Sequence, residues 1–512
     1  MSDIKTFTDK VIAGNTFKGD SIIFGVGMLD KAAVPGAMVK IPLSTLSRHG
    51  LIAGATGSGK TKSLQILAEQ ISLLGVPSLL MDIKGDLSGI AAPGSMNPKI
   101  EDRCKMIGID FVPHGSNIEL MSLSKEPGIR LRATITEFGP VLFCKMLDLN
   151  DVQSGVVSII FKYCDDNSYP LIDLDDFKEV LQYVANEGKS DMERQYGLIS
   201  TSTVGSIMRK IVELETQGAE TFFGEPSFEV ADLCRLDQNG YGMISVIRLT
   251  DIQDRPKLFS TFMLQLLAEI YASFPEEGDV TQPKLCLFID EAHLIFSNAS
   301  KALLEQIEAI IKLIRSKGIG VFFITQNPTD IPESVLSQLG LKIQHALRAF
   351  TANDRKDIKL AAQNFPISEF YEVDQVITEL GTGEAFVTAL NEKGIPTPLV
   401  HTLVRPPLSR MDILSPDEIS AILGRSKLSY KYSAQLDRQS AKEIIQAKLA
   451  LAREEAQVQK MDAQVEKGRK STEKGFVESF LNNSTARQIG RTLAREISRG
   501  LLGVLGIGGR KR

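Results

Sequence analysis

The 512-residue sequence predicts an α/β fold with a mostly parallel, doubly wound sheet. Three observations carry the prediction. Short apolar runs recur along the chain and read as strands buried on both faces. Stretches with helical periodicity separate them. Several of the runs end in polar or acidic side chains, as strands do where an open parallel sheet presents its ligand-binding edge.

In chain order, residues 1–50 read as short strands with turns, around Ser21–Val26 and Gly36–Ile41, that extend the core sheet or form a small cap. The next apolar run, Leu51-Ile-Ala, opens into Gly54-Ala55-Thr56-Gly57-Ser58-Gly59-Lys60-Thr61-Lys62. Its first eight residues fit G-x-x-x-x-G-K-[ST] at every position. A helical stretch follows, with Leu64, Leu67, Ala68, Ile71 and Leu74 on one face. Each part of this layout answers a need of phosphate binding. Glycines let the loop wrap closely enough for backbone N–H groups to point at phosphate oxygens. The positive end of the helix adds to their field. Lys60 would reach the β- and γ-phosphates and the Thr61 hydroxyl a Mg²⁺ ion, so the segment from Gly54 to Lys62 is the candidate site for ATP.

The run Ser78-Leu-Leu-Met-Asp82 predicts a second strand, followed by a polar turn, Lys84-Gly85-Asp86. Asp82 reads equally as an auxiliary acid or as a plain loop residue. From about Arg130 to Glu220 the pattern is helical, in an interval too long for a single crossover, and predicts a helical insertion on the core. Strands resume at residues 242–249, and a helix is expected at 258–274. The run 284–289 then ends in Asp290-Glu291. There Asp290 would hold Mg²⁺ through water and Glu291 would polarise an attacking water. Either acid could instead cap the helix that follows. The run 320–325 ends in Gln326, a candidate sensor of the γ-phosphate or the water, or else a cap for the next turn. Two further strands are expected near 384–389 and 398–404.

The tail differs in character. Residues 436–470 are rich in Ala, Glu, Gln, Lys and Arg and read as a long solvated helix. Arg487, Arg491, Arg495 and Arg499 then recur on one helical side, with Ile489, Leu493, Ile497 and Leu501 on another. Such a basic amphipathic helix suits nucleic-acid contact, membrane-surface contact, or packing back onto the protein. The expected domains are thus 1–50, a core of 51–125 with 235–410, an insertion of 126–234, and a charged tail of 411–512.

Composition excludes little and suggests a compartment. With 43% hydrophobic and 24% charged residues the chain is ordinarily globular, and a net charge of −5 gives no global basic field for a nucleic acid. Five scattered cysteines without a C-x-x-C pair, no apolar leader and no 18-residue apolar run point to a soluble, cytoplasmic protein. The five histidines are dispersed, so no metal site is spelled out.

Taken together, GATGSGKT, DIKGDL, FIDEAH, FFITQNP and ALRAF resemble the HerA-like branch of the HerA/FtsK ATPases, over roughly residues 20–410. The resemblance implies a RecA-like P-loop NTPase core, a homo-oligomeric, hexameric ring with ATP sites between subunits, and DNA drawn through the channel. It carries Asp290 and Glu291 over as the Walker B pair, Gln326 as the sensor, and Arg348 as the arginine near the γ-phosphate, with Arg315 second. It also implies a partner nuclease in several members. Archaeal members carry an N-terminal β-barrel of about a hundred residues, for which the roughly fifty residues before the loop leave no room; a docked nuclease is therefore not carried over. A different class of function, an ATP-dependent scaffold or switch acting on a protein partner, stands beside the DNA motor. A small-molecule kinase fits poorly, since a kinase must exclude the water that Glu291 would activate.

Overall fold

The computed structural model describes residues 4–471, apart from 253–254, 279, 298–300, 434–435 and 437. The chain divides into two units, Met1–Lys442 and Glu443–Arg512. The first is organised by one 12-stranded sheet. Its strands are β1 (Ser21–Leu29), β2 (Ala32–Pro42), β3 (Gly50–Ala53), β4 (Ser78–Asp82), β5 (Ile118–Ser122) and β6 (Ile129–Arg130). They continue with β7 (Ile244–Arg248), β8 (Leu285–Ile289), β9 (Ile319–Thr325), β10 (Leu341–Gln344), β11 (Glu384–Thr388) and β12 (Val400–Val404). The order across the sheet is β2-β1-β12-β11-β10-β3-β9-β8-β4-β7-β5-β6.

From β10 to β6 every pairing is parallel, and the residues of β4, β5, β8 and β9 are buried throughout, as expected for strands covered on both faces. From β10 back to β2 every pairing is antiparallel. That edge departs from uniform βα alternation: no helix separates β1 from β2 or β11 from β12, and β11 pairs antiparallel to β10 although two helices lie between them. The β1–β2 hairpin turns on Asp30 and Lys31 at φ 50° and 64°, the left-handed pair that suits a two-residue turn. The first fifty residues therefore do extend the core sheet, but they begin with a helix, α1 (Ile4–Gly14), where only strands were expected. The signal was one buried pair a turn apart, Phe7 and Val11, with Phe7 edge-on to Phe370 at 5.2 Å.

The helix after the phosphate-type loop, α2 (Lys60–Leu73), is buried along most of its surface, including Gln65 and Glu69. Those polar residues hold a strap of chain after β12. Glu69 accepts from the Leu408 amide at 2.7 Å, the Ser409 amide at 3.1 Å and the Ser409 hydroxyl at 2.7 Å. Gln65 donates to Ser409 Oγ and the Arg410 carbonyl, and Lys62 to the Met411 carbonyl at 2.7 Å. Burial pushes the Glu69 carboxyl up to about 7, against the pull of these donors. Its ionisation therefore costs the folded state, by nothing below its ordinary range and by the full amount above about pH 7. Native protein should lose on the order of 3 kcal/mol relative to Glu69→Gln as pH rises from 4.5 to 8. Urea denaturation of both proteins across that range measures it; parallel stability curves would show that Glu69 does not titrate there.

Helix α3 (Pro98–Ile107) leads from β4 towards β5. Between β6 and β7 lie α4 (Ile135–Met146), α5 (Asp151–Asn167), α6 (Leu174–Ala185), α7 (Lys189–Tyr196) and α8 (Thr201–Thr216). Reciprocal caps at Thr134/Glu137, Asn150/Gln153 and Asp173/Asp176 start the first three. Phe143 packs on Phe177 at 4.7 Å and on Phe161 at 5.9 Å to form their core. The second unit contains most of one long helix, Ala441–Ser471. The basic amphipathic helix expected at Arg487–Leu501 lies outside the described residues.

Candidate nucleotide site

Two strands intervene between β3 and β4, and this decides what the site contains. Ala53 pairs with Thr325, Phe323 with Ile289, and Ile289 with Met81. The ends of β3, β9, β8 and β4 are thereby level, and everything that follows them meets on one edge of the sheet.

After β3 the chain enters the loop at Gly54, with φ 152°. A Cβ there would stand 2.6 Å from His345 Cβ, so a side chain would displace the strand behind. Gly59, at φ 118°, precedes α2 and brings no capping side chain, so the first-turn amides of Lys60, Thr61 and Lys62 are left for an anion. Ser58 turns inward, its hydroxyl donating to Ala55 O at 2.7 Å, while Thr56 and Gly57 are exposed. Lys60 Nζ lies against the loop's own carbonyls, Gly54 O at 2.7 Å and Ala55 O at 3.1 Å. Desolvation, then the charge of Lys84, lower its pKa, and the acids nearby offset part of this. The side chain of Lys62 points away from the loop to the strap, so it meets the site only through its backbone.

At the tip of β8, Asp290 is 2% exposed and neither of its oxygens closes a hydrogen bond. Burial, partly relieved by Lys84, pushes its carboxyl up to about 6. A buried acid without a donor, on the same sheet edge as the loop that leads to Thr61, fits a hard cation that takes one carboxylate, a hydroxyl and phosphate oxygens. Among the described residues no cluster of His, Cys, Asp and Glu could cage a metal alone. Glu291 sits at φ 46°, a left-handed conformation that strains a non-glycine residue and is characteristic of functional positions. Its Oε1 pairs with Lys84, and its Oε2 faces His293 Nδ1 at 3.2 Å and Gln326 Nε2 at 3.5 Å. Burial would raise this carboxyl, but the bond and charge of Lys84, with His293 and Lys60, outweigh it and hold it below its ordinary range.

Asp82, at the tip of β4, spends both oxygens on its own turn. It accepts from the amides of Gly85 at 2.7 Å, Asp86 at 3.1 Å and Leu87 at 3.2 Å. Of the two readings of Asp82 the structure favours the loop role, and what its turn presents is Lys84. Neither Lys84 nor His345 was legible in the sequence. His345 Nδ1 lies 2.9 Å from the Glu384 carbonyl, which can only accept, so the ring proton is there and Nε2 accepts from the Ser63 hydroxyl at 2.9 Å. Burial lowers its pKa to about 4, so the ring behind the loop is neutral at physiological pH.

The two arginines are placed differently. Arg348 is exposed and donates to the carbonyls of Thr378 and Leu380, not to its own loop. Beside it Phe350 is 89% exposed. Arg315 precedes β9, and its charge bears on His49, which precedes β3; it is therefore at the rim opposite the loop.

Comparison with known proteins agrees with this architecture. Residues 28–512 match the family described as Helicase HerA-like C-terminal. The DNA double-strand break repair helicase HerA of Sulfolobus acidocaldarius is 22% identical over 374 residues, 72% of this chain and 68% of that protein. Its counterpart from Sulfurisphaera tokodaii is 24% identical over 379 residues, again 72% and 68%. The plasmid coupling protein TrwB, solved with a non-hydrolysable ATP analogue, shares the fold with a TM-score of 0.50 at 14% identity, over 80% of this chain and 95% of that one. With a family match across most of its length and a RecA-like sheet carrying the loop, this chain belongs to the HerA-like C-terminal helicase family and is an ATP-hydrolysing P-loop enzyme.

Proposed function

We propose that the enzyme is a Mg²⁺-dependent, ring-forming motor, hexameric as its resemblance implies, that couples ATP hydrolysis to movement along DNA. The observation that supports this best is the convergence of Lys60, Asp290, Glu291 and Gln326 on one sheet edge, in a chain whose relatives are named as DNA repair helicases. The amides from Gly54 to Lys62 and the Lys60 ammonium bind the phosphates. Thr61 and Asp290 hold Mg²⁺, which when bound neutralises phosphate charge. Glu291 takes the proton of a water whose oxygen attacks the γ-phosphorus as the bond to the ADP oxygen breaks, and Gln326 orients that water. The domains in this reading are a core of 51–125 and 235–410, the 126–234 insertion, and a 411–512 tail.

Arg348 suits action on a neighbouring copy, because it is exposed; an arginine there would stabilise the charge of the transition state. Among the described residues no helix is long and apolar enough to cross a membrane, and we place the enzyme in the cytoplasm.

Steady-state phosphate release at low salt, with and without double- and single-stranded DNA, tests the proposal, since DNA contacts weaken steeply with salt. DNA should stimulate turnover several-fold, and Arg348→Ala should lower turnover without lowering ATP affinity. Hydrolysis indifferent to DNA would favour a scaffold or switch with a protein partner, to which a net charge of −5 is better suited.

A further inference from the structure

The turn after β4 projects one cation into the site. Asp82 ties that turn by three backbone amides, and the Lys84 ammonium at its apex pairs with Oε1 of Glu291 and stands 4.0 Å from Oδ2 of Asp290. The other oxygen of Glu291 faces His293 and Gln326. Both oxygens of the carboxylate are thus engaged, and a water that used Oε1 would have to compete with the Lys84 ammonium. The pair is also shielded, with Glu291 6% exposed, whereas the Lys84 side chain is 34% exposed and has room to swing. Lys60 differs, since it rests on neutral carbonyls. Lys84 is near enough for its charge to weigh on Lys60, the residue that meets the terminal phosphates.

We infer that Lys84 is a latch on Glu291 that the γ-phosphate opens, the ammonium passing from the carboxylate to the phosphate so that Oε1 is released to water only when a triphosphate is bound. The inference rests on the assignment of Glu291 as the base. A γ-phosphate presents more negative charge than one carboxylate, and a cation arriving at Asp290 would repel Lys84 from its present place. ADP brings no γ-phosphate, so after hydrolysis and phosphate loss the ammonium returns to Glu291 and the base is closed again.

Calorimetric titration with ADP and with a non-hydrolysable ATP analogue tests the latch. Lys84→Met should leave ADP affinity within about twofold of native and weaken the analogue about tenfold. Lys84→Arg should keep most of the discrimination. Glu291→Gln should tighten the analogue several-fold, because no ion pair has to break, and that gain should vanish in the Lys84→Met background. Equal weakening of both nucleotides by Lys84→Met, or additive effects of the two substitutions, would overturn the latch. If Lys84→Met does not fold, Glu291→Gln decides alone: equal tightening of ADP and analogue refutes the latch. Continued hydrolysis by Glu291→Gln would instead remove the base assignment, a failure distinct from any in the binding ratios.

Discussion

Replacing Glu291 by Gln should lower the rate of ATP hydrolysis by about 10²–10⁴-fold while nucleotide still binds. The amide keeps the shape of the side chain but cannot accept the proton that water must lose. Its neighbours are solvent-accessible and do not require the charge: His293 and Gln326 can still bond to the amide oxygen, and Lys84 has a second acid at 4.0 Å. Folding should therefore be close to native, and the loss should fall on kcat more than on affinity. Single-turnover phosphate release together with analogue binding separates the two. A variant that turns over at the native rate would show that another group activates water.

Lys60→Ala should abolish measurable turnover and weaken ATP by roughly 100-fold, as removal of a charge-assisted contact to a multiply charged ligand does. The expectation is specific to the ammonium. The backbone amides of the loop and of α2 remain, so residual binding should survive at high nucleotide concentration. The structure adds a cost that the sequence motif does not show. Lys60 donates to the carbonyls of Gly54 and Ala55, which would lose that donor, so the loop itself should become more mobile. Lys60→Arg distinguishes the effects, since it keeps a donor for the loop while placing a bulkier cation at the phosphates. Native activity in Lys60→Ala would exclude the loop as the nucleotide site.

Much of this was legible in the sequence because it is written in consecutive residues. The loop from Gly54 to Lys62, the apolar run into Asp290-Glu291 and the run into Gln326 each combine a strand and its chemistry within about ten positions. The long tail helix was legible from composition alone. What the sequence left open depends on which strands become neighbours. The insertion of β9 and β8 between β3 and β4 makes one site of the three motifs, and no local pattern encodes it. Lys84 looked like part of a polar turn because its partner lies 207 positions further along the chain. His345 was one of five dispersed histidines with no motif around it, yet it is fully buried and packs against the back of the loop. The antiparallel edge escaped because alternation of strands and helices is judged over the whole chain, whereas the direction of β11 and β12 is set by the neighbours they meet in the sheet. Lys62 follows the motif and its side chain turns to the strap, a placement that only tertiary contacts determine.

The strap that α2 holds also sets where this enzyme could be shortened. The sequence puts the end of the core at residue 410, a few residues past the last strand, which ends at Val404. Ending the chain at Val404 would strip Glu69 of the Leu408 and Ser409 donors and leave a carboxylate buried inside the helix that carries the loop. The smallest self-sufficient engine therefore extends past Met411, and because Leu428, Tyr432 and Ala441 are also buried within the first unit, a protease would leave that unit whole only by acting beyond Lys442.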